Sequence, residues 1–187
     1  MKIHLGCGKR FLKGYVHVDL DKHEHIDYYH DIKTLPMFPD NSADEIYSCG
    51  TFEYFDRITE VPNVLAEWKR VLKQGGVIRM SVPDFEGIAK VYQKYHDVDG
   101  KGILGPIFGR IEIETERGRE ILYHKTVYDY DSLKKVLESA GFTNVARYDW
   151  RSFFPSGYDD FSAAYIPHMD PKGIPLGLNL VCIKSHS

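Results

Sequence analysis

An apolar run, Ile3-His4-Leu5, breaks directly into Gly6-Cys7-Gly8, and this junction constrains the fold more than any other stretch of the chain. Glycine lacks a Cβ, so a turn with two glycines one residue apart can adopt positive φ and lie flat against a ligand. At the carboxyl end of the first strand of an α/β sheet, such a turn is where a nucleotide-like cofactor docks. The motif gains weight from the segment downstream. Tyr15-Val16-His17-Val18-Asp19 reads as a second strand ending in a carboxylate, a position from which an acid can grip ribose hydroxyls.

Strand and helix patterns then alternate, which predicts a mostly parallel sheet with helices on both faces. Strands are expected near 2–5, 15–19, 26–29, 44–49, 76–82, 143–150 and 178–184. A helix over 57–73 places Val61, Val64, Leu65, Trp68, Val71 and Leu72 at three- and four-residue spacing, with Gly75 as its C-cap. A second helix begins near Asp84, which serves as its N-cap. A third spans 130–140, capped by Asp129 or Asp131 and stopped at Gly141. The expectation is one domain over residues 1–187, with a lid-like insertion at about 97–128.

Two features depart from the ordinary α/β pattern. Only nine residues, Gly6 to Gly14, separate the first two strands, where a parallel crossover usually carries a full helix. The 97–128 stretch is glycine-rich early (Gly100, Gly102, Gly105, Gly109) and charged later (Glu112 to Glu120).

Composition narrows the function classes. A net charge of −3 without a long basic run makes no case for nucleic acid. Cys7, Cys49 and Cys182 are far apart and form no C-x-x-C pair, so neither a disulfide framework nor a zinc site is expected. No apolar run approaches ~20 residues, and no basic-then-apolar leader precedes the first strand. A cytoplasmic protein without a membrane partner is expected.

The blocks "LGCG", "VDL", "DIKTLPMFPDNSADEIY", "EWKRVLKQGG" and "VPD" together resemble the class I S-adenosylmethionine-dependent methyltransferases, in particular a compact group with a shortened first crossover. The likeness is strong over about residues 1–95. It implies a doubly wound, mostly parallel seven-stranded α/β sheet of the Rossmann-like methyltransferase kind, S-adenosylmethionine as cofactor, and a small-molecule hydroxyl or amine as methyl acceptor, a sugar hydroxyl among them. Leu5, Gly6, Cys7 and Gly8 are then expected against the amino-acid tail of the cofactor. Asp19, with Leu20 beside it, is expected on the ribose, Asp21 being the fallback. The resemblance places Asp31 and Ile32 at the adenine and Cys49 near the sulfonium.

Four side chains are candidates for taking a proton from the acceptor: Glu53 and Tyr54 after the fourth strand, His124 at the end of the insertion, and Asp84 at the end of the fifth strand, which fits better as a helix cap. Cys7 fits as a small residue beside the cofactor rather than as a nucleophile, which would need a depressed pKa. His23, His25 and His30, with Glu24, Asp27 and Asp31, read as solvated groups rather than metal ligands, because their spacing lacks metal-site geometry. The aromatics Tyr148, Trp150, Phe153, Phe154, Tyr158, Phe161 and Tyr165 read as core, with 161–175 able to reach over the acceptor pocket. Two rivals stand beside this reading. One is a non-catalytic domain that binds S-adenosylmethionine or a partner. The other is a nicotinamide-dependent dehydrogenase, disfavoured because Asp19 follows the glycines too soon and Phe11 stands where the fingerprint wants its last glycine.

Overall fold

A seven-stranded sheet organises the computed structural model, which describes residues 1–115, 118–168, 170 and 172–185. Its strands are β1 (Lys2–Leu5), β2 (Val16–Asp19), β3 (Tyr28–Tyr29), β4 (Ala43–Cys49), β5 (Leu72–Pro83), then β8 (Phe142–Arg147) and β11 (Gly177–Lys184). The spatial order is β3-β2-β1-β4-β5-β11-β8. The first five run parallel, and β11 lies antiparallel between β5 and β8. The order reverses at β1, so the carboxyl ends of β1 and β4 flank the switch point where ligands bind in such sheets. The other strands among the described residues are the hairpin β6 (Ile111–Thr115) and β7 (Gly118–Leu122), and the short pair β9 (Tyr165–Ile166) and β10 (Ile174–Pro175).

The helices are α1 (Val61–Val71), α2 (Phe85–Tyr95), α3 (Leu104–Phe108) and α4 (Tyr130–Ser139). α1 is shorter than the 57–73 periodicity predicts. Its start is set by Asp56, whose Oδ1 accepts the amides of Ile58 and Thr59 and holds 56–60 in a turn. Its end comes at Leu72, which is already extended and paired with Ala43. Gly75 therefore lies in a bulged strand entry rather than at a helix C-cap. The last carbonyls of α1 are served from far away: the Lys184 ammonium donates to Lys69 O and Leu72 O. Asp84 caps α2 through the Glu86 amide, and Asp129 and Ser132 form a reciprocal capping box on α4.

The two sheet faces are covered by different means. On one, α1 and α4 bury Val64, Leu65, Trp68, Leu133 and Leu137 against Ile3, Leu5, Ile46, Ile78 and Met80. On the other, the side chains of His4, His17 and Tyr47 point outward between the strands. Among the described residues, no α-helix lies between β1 and β4. Instead Leu12 and Tyr15 of the first connection, with Trp150, Phe153, Phe154 and Tyr158 from beyond β8, close over Tyr47. The aromatic residues read as core thus serve as the second layer.

The 97–128 insertion contains α3 and the β6–β7 hairpin; Glu116 and Arg117, at its turn, lie outside the described residues. The hairpin is a departure from the reading of this stretch as glycine-rich then charged. Its signal was present in the alternation Ile111-Glu112-Ile113-Glu114-Thr115, which is the period of a strand with one face covered.

Candidate active site

A cavity of about 660 Å³ opens at the carboxyl ends of β1, β2 and β4, and the insertion roofs it through Pro106, Gly109, Ile113, Leu122 and His124. A second, of about 730 Å³, adjoins it and shares Leu20, Asp31, Tyr54 and Leu122.

The glycine turn forms the floor. Gly6 has φ +66°, and a Cβ there would lie 2.3 Å from the Thr51 side chain. That closeness is used: the Thr51 hydroxyl donates to Gly6 O at 3.0 Å and fastens the β4 loop to the β1 turn. Gly8, at φ +51°, has open space where a Cβ would be. The Gly8 amide points to Asp19, donating to Oδ2 at 2.6 Å, while Oδ1 accepts the Asp21 amide at 2.8 Å. Each oxygen keeps a second lone pair, and Asp19 lines the cavity. Burial raises its pKa, the two amides and His23 opposing, so a hydroxyl-bearing ligand would restore solvation the carboxylate has lost.

Asp31 and Ile32 line the same cavity. The Asp31 carboxylate accepts the Lys33 amide and pairs with its ammonium at 3.1 Å. The Ile32 carbonyl accepts from Trp68 Nε1 at 2.9 Å, which ties this loop to α1. Leu20 sits at the edge, half-exposed, and belongs to both cavities. Leu5, expected at the cofactor, is instead fully buried on the α1 face, because alternation along β1 turns it away from the cavity that His4 reaches. Asp21 is turned toward the roof: its Oδ1 accepts the Glu114 amide of β6 at 2.9 Å and its Oδ2 meets His23 Nε2 at 2.9 Å. Asp21→Ala should therefore loosen the hairpin. The expected result is faster exchange of the Glu114 amide with a stability loss of about 0.5–1.5 kcal/mol, read by hydrogen exchange and thermal unfolding; an unchanged Glu114 rate would refute the anchor.

The proton-handling candidates other than Asp84 cluster at the roof. Glu53 is 1% exposed, and its Oε1 lies 3.6 Å from His124 Nε2. Its Oε2 is shut off from water with no hydrogen-bond partner among the described residues. Burial pushes the Glu53 pKa up to about 8. His124 presents Nδ1 to Pro106 O at 2.9 Å, and burial lowers its pKa. Tyr54 is placed otherwise. Its hydroxyl donates to Gly109 O at 2.5 Å and its ring meets that of His124 edge-on at 4.5 Å. Burial raises that phenol, so Tyr54 is a strut for the insertion rather than a proton acceptor.

Both candidate cysteines line the cavity, and burial raises each thiol far above its ordinary pKa, which removes nucleophilic character. Among the described residues no group of histidine, cysteine or carboxylate side chains is arranged to hold a metal ion. His23 and His25 stack beside His17 and Phe11 instead, and His4 is held neutral, its pKa lowered to about 3 by burial and by His17 and His25. Asp84 lies outside the cavity, to which Pro83 contributes. Sequence reasoning missed Thr51, His4 and Asp160, while Phe161 belongs to the 161–175 stretch expected to reach over the pocket and lines the cavity. Thr51 is an ordinary loop residue in sequence, and Asp160, which locally caps the turn at Ser162, has one distant partner, the Tyr47 hydroxyl at 2.5 Å. No helix among the described residues is long and apolar enough to cross a membrane.

A family model described as a methyltransferase domain matches residues 5–80. A ubiquinone/menaquinone biosynthesis C-methyltransferase from Escherichia fergusonii is 33% identical over 122 residues, 63% of this chain; the chain spans 45% of that relative's length. Among solved structures, a methyltransferase dependent on S-adenosylmethionine from Methanosarcina mazei superposes with a TM-score of 0.56 at 16% identity, covering 100% of this chain and 92% of the other. One from Archaeoglobus fulgidus gives 0.55 at 14% identity, covering 98% and 85%. At these identities the structural likeness concerns the fold.

Proposed function

We propose that this chain, which carries a class I S-adenosylmethionine-dependent methyltransferase domain, moves a methyl group from S-adenosylmethionine to a hydroxyl or amine of a small molecule, sugar hydroxyls included. The observation that carries the reading is Asp19. A half-buried carboxylate at the end of β2, held by two amides and retaining a free lone pair on each oxygen, matches a ribose diol. When bound, S-adenosylmethionine supplies an electrophilic methyl group on a sulfonium. The open backbone at Gly8 leaves room for its amino-acid tail, and Asp31 with the Ile32 backbone lies where the adenine would be gripped. The insertion shields the site from water and leaves the acceptor to enter beside Glu53, Tyr54 and His124. Methyl transfer by in-line displacement asks mainly for this alignment.

The matched relative is named for C-methylation, which makes an activated carbon the second acceptor class. Cofactor binding without turnover is favoured by the shortened β1–β2 connection, which replaces a helix whose amino end would otherwise face the ligand.

S-adenosylhomocysteine at about 100 times its dissociation constant should stabilise the fold by about 2.7 kcal/mol, while NAD should not. Asp19→Ala should weaken that binding by about 1–3 kcal/mol with the fold intact, as read by calorimetry on the folded variant. Stabilisation by NAD and none by S-adenosylhomocysteine would overturn the reading. Accumulation of S-adenosylhomocysteine from S-adenosylmethionine over a panel of phenols, sugars and amines separates an enzyme from a binding domain.

A further inference from the structure

We propose that Glu53 and His124 act as one proton-holding pair, which takes up the proton that an acceptor hydroxyl or amine loses as it is methylated. The inference rests on the methyltransferase reading and narrows its acceptor to groups that carry a removable proton.

The geometry fixes where protons sit. A carbonyl oxygen cannot donate, so the contact of His124 Nδ1 with Pro106 O requires the hydrogen on Nδ1. The Nε2 lone pair then faces Glu53 Oε1. A proton on Oε1 faces that lone pair at 3.6 Å, and Oε2 is left as an acceptor without a partner among the described residues, on a residue that lines the cavity. An orphaned, fully buried carboxylate oxygen is costly to keep unless a ligand completes it. The pair is also drawn from two elements, Glu53 from the β4 loop and His124 from the end of the insertion, with the amides of Lys125 and Thr126 donating to Glu53 O. The pair is therefore complete only when the roof is in place.

The other titratable groups facing it are neutral. Tyr54, Tyr128 and Cys49 all have their pKa values raised by burial, and Arg57 lies over the outer face of the Tyr128 ring. Among the described residues no nearby cation holds Glu53 ionised, which is why burial prevails and the carboxyl keeps its proton to near neutrality. In the step, the acceptor oxygen or nitrogen uses its lone pair to form the new bond to the methyl carbon. The sulfur–methyl bond breaks and its electron pair stays on sulfur, which becomes neutral. The acceptor's proton goes to Glu53 Oε2 as the proton on Oε1 passes to the Nε2 lone pair of His124, so the pair gains one proton and takes over the positive charge that leaves the sulfur.

Three measurements on the full chain test the pair, two of them independent of any acceptor. A carboxyl protonated in the fold up to about pH 8 but titrating at 4.5 when unfolded binds more protons in the folded state between those values. Its contribution to stability is therefore fully present below about 4.5 and lost as pH rises through about 8. Glu53→Gln should remove that loss, leaving a flatter stability–pH curve over this window than the wild type. Nitrogen NMR on labelled histidine should show His124 as the Nδ1–H tautomer, with its shift following the Glu53 titration in the wild type and not in Glu53→Gln. Identical stability curves, or a His124 signal indifferent to Glu53→Gln, would overturn the pair. With an acceptor that supports turnover, Glu53→Gln should lower kcat by about 10²–10⁴-fold while binding of S-adenosylhomocysteine changes less than about twofold. Unchanged kcat refutes the catalytic role. Failure of wild type to bind S-adenosylhomocysteine refutes the methyltransferase reading instead.

Discussion

Replacing Trp68 with alanine is expected to cost about 3–5 kcal/mol of folding stability and to weaken cofactor binding although Trp68 touches neither cavity. Its ring is fully buried between α1 and the sheet, where removal of its bulk leaves a void that a close-packed core cannot refill. Two site loops lean on it. Its Nε1 donates to the Ile32 carbonyl, next to Asp31, and its ring packs on Phe52, next to Glu53, with centroids 5.8 Å apart. Trp68→Phe separates the two effects. It keeps most of the volume but strands the Ile32 carbonyl, at about 1–3 kcal/mol. Thermal unfolding and calorimetry with S-adenosylhomocysteine check both variants. If Trp68→Phe behaved as wild type in both, the hydrogen bond would have no part in holding the adenine-side loop.

The second large effect is expected from Gly6→Ala. A residue with a Cβ at φ +66° costs about 1–2 kcal/mol, and the new methyl would overlap the Thr51 side chain. Overpacking of that kind adds about 1–3 kcal/mol. The group that must yield is Thr51, and in yielding it gives up its hydrogen bonds to Gly6 O and Cys49 O. The β4 loop would then shift, taking Glu53 with it. The variant should therefore lose about 2–5 kcal/mol of stability and most of its cofactor affinity. Adding Thr51→Gly should return the steric part and leave the conformational part. No rescue by Thr51→Gly would mean that backbone conformation alone sets the cost.

What the sequence reveals of this molecule divides by range. Strands β1, β2, β4, β5 and β11 announce themselves through apolar runs, and α1 through the Val61-to-Val71 periodicity, since those signals are written within one element. The turn at Gly6–Gly8 and Asp19 are legible for the same reason, and they meet because β1 and β2 pair in register. Leu5 is misplaced by adjacency: a strand turns neighbouring residues to opposite faces, so only one of His4 and Leu5 can reach the cavity. Glu53 and His124 are each nameable from sequence, yet their pairing depends on how α3 and the hairpin fold back. Asp160 shows locally only as a cap for Ser162, whereas its contact with Tyr47, which lies far earlier in the chain, leaves no trace in the sequence around it.

The aromatic cover on the second face of the sheet has a consequence for how the chain reaches its native state. In an ordinary doubly wound protein each strand brings its own cover in the next helix, so both faces close as synthesis proceeds. Here β1, β2 and β4 emerge with Tyr47 covered only by Leu12, Tyr15 and Cys49 until residues 150–158 arrive. Such long sequence separation slows productive collapse and lengthens the time for which apolar surface is open to other chains. Residues 5–80, although they contain the recognisable methyltransferase pattern, emerge with half a core. The distant tail acts, in effect, as a built-in chaperone for the first strands.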